Sequence, residues 1–309
     1  MKTPISTTFS LCLFFTNLIY SQELDSKLKY LGQAPPTVNP KIFAPNFIST
    51  QGTSEFGSVF NQKATEFYYG VEVNGKSEIR FTRLEDNSWS KPKTLLSHPV
   101  YSVNDPFLSP DEKRLYFISQ RSIDGLDVNE DYDIWYIERS KSEWSLEMVN
   151  AGPSINSNKN EYYISFTVTG DIYFASNRAA SEERQHDFDI YFSKNNNHNS
   201  FQLATPLNDS INTNSYEADV FIDPNEEYLI FCAVRKEGFG QGDLYISFKN
   251  KEGSWSKSQN MGELINTPNH ELCPFVSKDG KYLFFTSNQD IYWVDSKIIQ
   301  TFKPTQNNH

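Results

Sequence analysis

Cysteine is scarce in this chain: three among 309 residues, alongside five histidines and three methionines. That excludes a disulfide scaffold, and no paired Cys/His spacing of a zinc module occurs. Basic residues are outnumbered, 28 Lys and Arg against 39 Asp and Glu, for a net charge of −11. No basic cluster exists that could neutralise phosphates, which argues against a nucleic-acid partner. Gly-x-Ser-x-Gly, His-Glu-x-x-His and phosphate-loop patterns are all missing. No apolar run reaches the roughly 20 residues of a membrane-spanning helix. The run Phe9 to Tyr20 follows Lys2 and is closed by the small Ser21, so residues 1–21 read as a secretory signal and the mature chain starts at Gln22. Cys12 is preceded by Leu11, where a lipidated cysteine has a small residue. The expectation is a soluble protein, periplasmic or secreted. Its two remaining cysteines, Cys232 and Cys273, lie in apolar runs and read as buried thiols, with one disulfide as the alternative.

Aromatic residues, by contrast, are plentiful: 15% of the chain, with 17 Tyr and 24 Phe, a load that suits strands. They recur in a repeat. Aligned on an acidic residue before an apolar run, the copies begin at Glu55, Asp105, Glu161, Glu217 and Glu271, at intervals of 50, 56, 56 and 54 residues. A turn follows in four of them: Pro110-Asp111, Thr169-Gly170, Pro224-Asn225 and Asp279-Gly280. A third run opens Asp133-Ile134, Asp189-Ile190, Asp243-Leu244 and Asp290-Ile291, and a fourth opens at Trp89, Trp144, Phe201 and Trp255. Polar links such as Ile155-Asn156-Ser157, Ile211-Asn212-Thr213 and Ile265-Asn266-Thr267 lead to the next copy. Four short strands per unit of this length predict propeller blades, each too small to bury both faces without neighbours.

The last copy has no fourth run, and the chain before Glu55 holds the end of a repeat without its beginning. Lys41 to Phe43 is therefore expected to complete the last blade, closing five blades into one ring, with six as the alternative. The alternative for Ser296 to Phe302 is a strand of its own or a short helix. Residues 22–38 then form a polar N-terminal segment, 39–303 a single all-β propeller and 304–309 a tail.

The segments Ser109-Pro110-Asp111-Glu112-Lys113 and Ser277-Lys278-Asp279-Gly280-Lys281, with Arg121, Arg178 and Arg235 after the second strand, resemble the WD-like repeat of TolB-type β-propellers. Gln289 replaces the Arg in the last copy, and the first copy has no equivalent. The resemblance covers about residues 40 to 295. It implies a stand-alone propeller of the kind used in periplasmic binding and scaffold proteins, and related blades precede the catalytic domain of prolyl-oligopeptidase-like enzymes.

The anchors Glu55, Asp105, Glu161, Glu217 and Glu271 are expected as a carboxylate ring at the channel mouth. Such a ring could bind a cation, a basic peptide end or sugar hydroxyls, with His270 beside it. Two of its members could act as acid and base on a glycoside. The competing expectation is that each anchor serves its own link, since a structural role recurs in every blade. The Asp133, Asp189, Asp243 and Asp290 set is expected to pair with Arg121, Arg178 and Arg235 across the hairpin. Asp127, Asn129 and Asp131 alternate as oxygen ligands for Ca²⁺ do, but Tyr132 occupies the sixth position where an EF-hand requires Gly. A solvated loop needing no cofactor is the simpler reading. Function is expected to be binding of a protein, peptide or glycan at the channel mouth or on loops 120–132, 178–188 and 235–242. The alternative is a carbohydrate-active enzyme with carboxylates in the central channel.

Overall fold

The computed structural model describes residues 27–184, 186–196 and 200–304. The expected leader, 1–21, lies outside them, as does most of the 304–309 tail. Five antiparallel sheets follow one another along the chain. Blade I contains Ser54–Phe60, Glu66–Val73, Lys76–Glu85 and Lys93–Leu96. Blade II contains Val103–Leu108, Arg114–Arg121, Val128–Ser140 and Val149–Asn150. Blade III contains Glu161–Phe166, Ile172–Ser176, Asp189–Ser193 and Thr205–Pro206. Blade IV contains Tyr216–Ile222, Tyr228–Val234, Asp243–Phe248 and Gln259–Asn260. Blade V contains Leu272–Val276, Tyr282–Ser287 and Asp290–Asp295, and its fourth strand is Lys41–Ile42.

That fourth strand is the predicted closure. Lys41 faces Trp293 and Ile42 faces Tyr292, and the Phe43 N–H donates to the Ile291 carbonyl at 2.8 Å. The first strands of neighbouring blades contact one another from I round to V and back to I, so the ring has five members. Ser296–Phe302 is a 3-10 helix that buries Ile298 and Ile299. The described part of the 22–38 segment also packs on the ring. Tyr30 is buried among Phe60, Tyr282, Phe284 and Trp293, and its hydroxyl donates to Asp279 at 2.6 Å. The Trp89 indole of blade I donates to the Leu28 carbonyl at 2.7 Å. Thus the N-terminal chain locks the seam between the first and last blades from both sides.

Every first strand carries a register break two residues after its anchor position: at Gly57, Asp105, Tyr163, Asp219 and Cys273. All five residues have φ between 43° and 52°, a left-handed conformation in which a bulge re-aims its side chain. Here the side chains turn to the ring axis. Contacts between non-adjacent blades demonstrate it: Cys273 Sγ of blade V lies 3.7 Å from Asp105 Oδ1 of blade II, and the Tyr163 hydroxyl of blade III donates to the Pro274 carbonyl at 2.9 Å. Gly57 is the one member without a side chain, because a Cβ there would meet Asp105 Oδ1 at 2.6 Å. Below this level Phe107, Phe221 and Phe275 pack edge to face across the axis and fill the channel.

Candidate binding site at the upper channel mouth

The end of the ring carrying the anchors and the second-to-third-strand loops is called the upper face. The four glutamate anchors are fully buried there, at 0–1% exposure, and among the described residues all their oxygens except Glu55 Oε2 accept hydrogen bonds. Glu161 accepts from the Ser157 N–H and hydroxyl at 2.9 and 2.7 Å, and from Ser176 at 2.7 Å. Glu217 and Glu271 repeat this with Thr213 and Thr267, each at 2.9 and 2.7 Å. Glu55 accepts from Thr50 and Thr53. The residue before each hydroxyl completes the clamp. Asn156, Asn212 and Asn266 each exchange two hydrogen bonds of 2.8–3.0 Å with the backbone of Ile134, Ile190 and Leu244 in the preceding blade. Ile-Asn-(Ser/Thr)-x-x-x-Glu is thus an inter-blade latch, and burial pushes the pKa of Glu55, Glu161 and Glu217 up against their hydrogen bonds.

Asp105 is not a member of this set. The residue at the anchor register of blade II is Val103, and Asp105 sits two places on, at the bulge. There it joins Asp219, which alignment on acidic residues overlooked. Counting back four residues from the turn serines and their equivalents, Ser109, Thr167, Asp223 and Ser277, gives Asp105, Tyr163, Asp219 and Cys273 directly. Asp105 and Asp219 keep 8% and 7% exposure. The Cys273 N–H donates to Asp219 at 3.4 Å and its thiol lies against Asp105. Among the described residues neither aspartate has a basic partner. Burial and the neighbouring Asp219 raise Asp105 to about 8, and burial raises Asp219 as well.

The arginines also differ from expectation. Arg178 pairs with Glu161 at 3.0 Å and Arg235 with Glu217 at 3.2 Å, not with the aspartates. Each guanidinium lies over a third-strand ring, Tyr191 at 4.8 Å and Tyr245 at 4.4 Å, which carries it past the hairpin toward the first strand. Arg121 has no glutamate to meet in blade II; it stacks on Trp135 at 4.8 Å and donates to the Ser122 carbonyl. Asp243 instead binds the Phe239 N–H and the Asn260 amide, both at 2.7 Å, and Asp133 binds Asn150 at 2.9 Å. Cys232 and Cys273 are both free and buried. His270 lies off the axis: its ring is 3.2 Å from Cys232 Sγ, and burial lowers its pKa. Asn129 and Asp131 fall in the extended strand Val128–Ser140, with Asp127 just before it, so that stretch is strand where the sequence suggested a loop. Among the described residues no group of three His, Cys, Asp or Glu is arranged to hold a metal ion.

The upper face also carries aromatic and amide chemistry. Tyr132, Tyr162, Phe188, Tyr216 and His270 form a file over blades II to V, each ring 4.7–6.4 Å from the next. Long loops at 177–188 and 235–242 stand above blades III and IV. Blade V has only the turn Asn288-Gln289, and beside it a 370 Å³ pocket opens toward blade I.

No protein-family model matches the chain, and no curated protein matches it. Solved structures do. TolB from Acinetobacter baumannii aligns with a TM-score of 0.50 at 15% identity, over 77% of this chain and 53% of that one. A putative TolB from Agrobacterium tumefaciens aligns at 0.48 and 13%, over 75% and 69%. A puromycin-hydrolysing peptidase of Mycobacterium tuberculosis aligns at 0.42 and 11%, over 68% and 29%. The chain spans about half the length of the first TolB structure. At such identity the likeness to the first TolB structure speaks to architecture alone; with its five sheets in a ring, the chain has a TolB-like β-propeller fold.

Proposed function

We propose that this protein is an exported, non-enzymatic binding module that takes a protein, peptide or glycan ligand at the upper channel mouth. The observation that carries the reading is the contrast between the two ends of the channel. At the lower end a 310 Å³ pocket is floored by the buried Phe107 and Phe221 and walled by the turn residues Asp223, Lys278 and Asp279. The upper end offers half-buried Tyr132, Tyr162 and Tyr216 beside an open pocket, the mix of apolar surface and few polar groups that ligands use. Export rests on the apolar run Phe9 to Tyr20. The test is an array of peptides and glycans probed with the mature chain and with Tyr162→Ala. Tyr162 is half-buried and belongs to no latch, so a real ligand should lose tenfold or more in affinity. Hits that bind both proteins equally would sink the reading.

One observation favours the enzymatic alternative: Asp105 and Asp219 are adjacent, buried and raised unequally, as an acid–base pair is. Against it, both are engaged by Cys273 at the floor of the channel, Asp219 by its N–H and Asp105 by its thiol. Turnover of any neutral oligosaccharide that disappears in Asp219→Asn would establish the alternative.

A further inference from the structure

The proposed binding face is not uniform in its chemistry, and the difference points to a ligand class. The repeat degenerates at blade V. Where blades III and IV place Arg178 and Arg235 and a long loop, blade V places Asn288 and Gln289 in a two-residue turn, both with positive φ of 47° and 70°. The space a loop would occupy becomes the 370 Å³ pocket between blades V and I, within the ~300–1,000 Å³ typical of small-ligand sites. Its wall holds the side-chain amides of Gln241, Asn288 and Gln289 and the hydroxyls of Ser54 and Thr286, none of which makes a side-chain hydrogen bond among the described residues. Phe56 supplies a half-buried ring at the same wall. No Asp, Glu, Lys or Arg lines it, and His270, the remaining titratable neighbour, is half-buried against Gly242 and Cys232.

We infer that this pocket binds a neutral saccharide. A carboxamide offers a donor and an acceptor in one plane, which matches a vicinal pair of hydroxyls. An aromatic face suits the C–H side of a pyranose ring. A charged group would leave water here for a site with no counter-charge, which is unfavourable. The neighbouring pocket over blades II and III differs, being lined by Glu130, Asp131 and Lys159, so the neutral chemistry belongs to the blade V notch.

This inference rests on the upper face being the binding face. It is tested by titrating the mature chain with four neutral trisaccharides, built of glucose in α and β linkage, mannose and N-acetylglucosamine. The readouts are calorimetry and saturation-transfer NMR. The double variant Asn288→Gly/Gln289→Gly removes both amides, and glycine adopts the turn's positive φ without strain, so the fold is retained. At least one trisaccharide is expected to bind, with affinity reduced tenfold or more in the double variant and unchanged in Lys159→Ala. Binding that the double variant leaves intact would overturn the inference, as would no binding by any of the four. If the four fail while array peptides bind in a Tyr162-dependent way, the saccharide inference falls and the binding-face reading stands. If nothing binds, both fall.

Discussion

Replacing Asp105 by Asn should stabilise the protein, and more so as pH rises. Asp105 is buried on the ring axis beside Asp219, with a weak thiol contact and, among the described residues, no basic partner. Its pKa lies at about 8 against an ordinary value of 3.8. A carboxyl raised in the folded state binds its proton more tightly there than in the unfolded chain. Its stabilising contribution is therefore complete below about pH 4 and is lost as pH climbs through about 8. At pH 7 the unfolded chain gains about 4 kcal/mol from releasing that proton. Asp219 shares the site and carries part of the effect, so Asp105→Asn should recover roughly half, about 2 kcal/mol. For a chain of this size that is a rise in Tm of about 3–4 °C. The amide is isosteric and can still accept from the Cys273 thiol. The assay is thermal unfolding from pH 5 to pH 9, with Asp111→Asn as control. Asp111 sits on an exposed turn with its pKa below the ordinary range, so its replacement makes the same carboxyl-to-amide change without the burial effect. The wild type should lose stability between pH 6 and 9 and the variant should lose less. Equal Tm values for wild type and Asp105→Asn at pH 8, or an equal gain from Asp111→Asn, would refute the reasoning.

Other consequences follow from the latches and the seam. Glu217→Ala leaves the Arg235 guanidinium, only 10% exposed, without its carboxylate partner and should cost about 3–5 kcal/mol by urea denaturation. Glu271→Ala has no arginine to strand and should cost about 1–3 kcal/mol. Asn212→Ala removes both bonds to the Ile190 backbone and should cost about 2–4 kcal/mol, while leaving the chain monodisperse by light scattering. Phe43→Ala empties a site among Phe60, Phe67, Phe284 and Trp293 at the closing seam and should cost about 3–5 kcal/mol. Cys232 and Cys273 are buried with their thiols pushed well up. They should therefore react with an aromatic disulfide reagent only at the rate of unfolding.

Much of the architecture was legible in the residues alone because its causes are local. The turn residues, the alternation of apolar runs and the repeat length are short-range features, and they define five four-stranded units. Even the closure was readable, since the last unit lacks a fourth strand and the segment 41–43 is a fourth strand without a unit. The latch residues were visible too, as Ile-Asn-(Ser/Thr) links followed by Glu, although their partners were not. What the tertiary structure decided was which carboxylates are free. The bulge in each first strand inserts an offset that no acidic-residue alignment detects, and it moves Asp105 from the anchor set to the axis. Ring closure then brings residues 105, 163, 219 and 273 together from three hairpins apart, a proximity that depends on curvature rather than on sequence distance. The arginines chose glutamates over aspartates because third-strand rings steer them. The blade V notch exists because a loop is missing there, and a missing loop becomes a pocket only when neighbouring blades supply its walls.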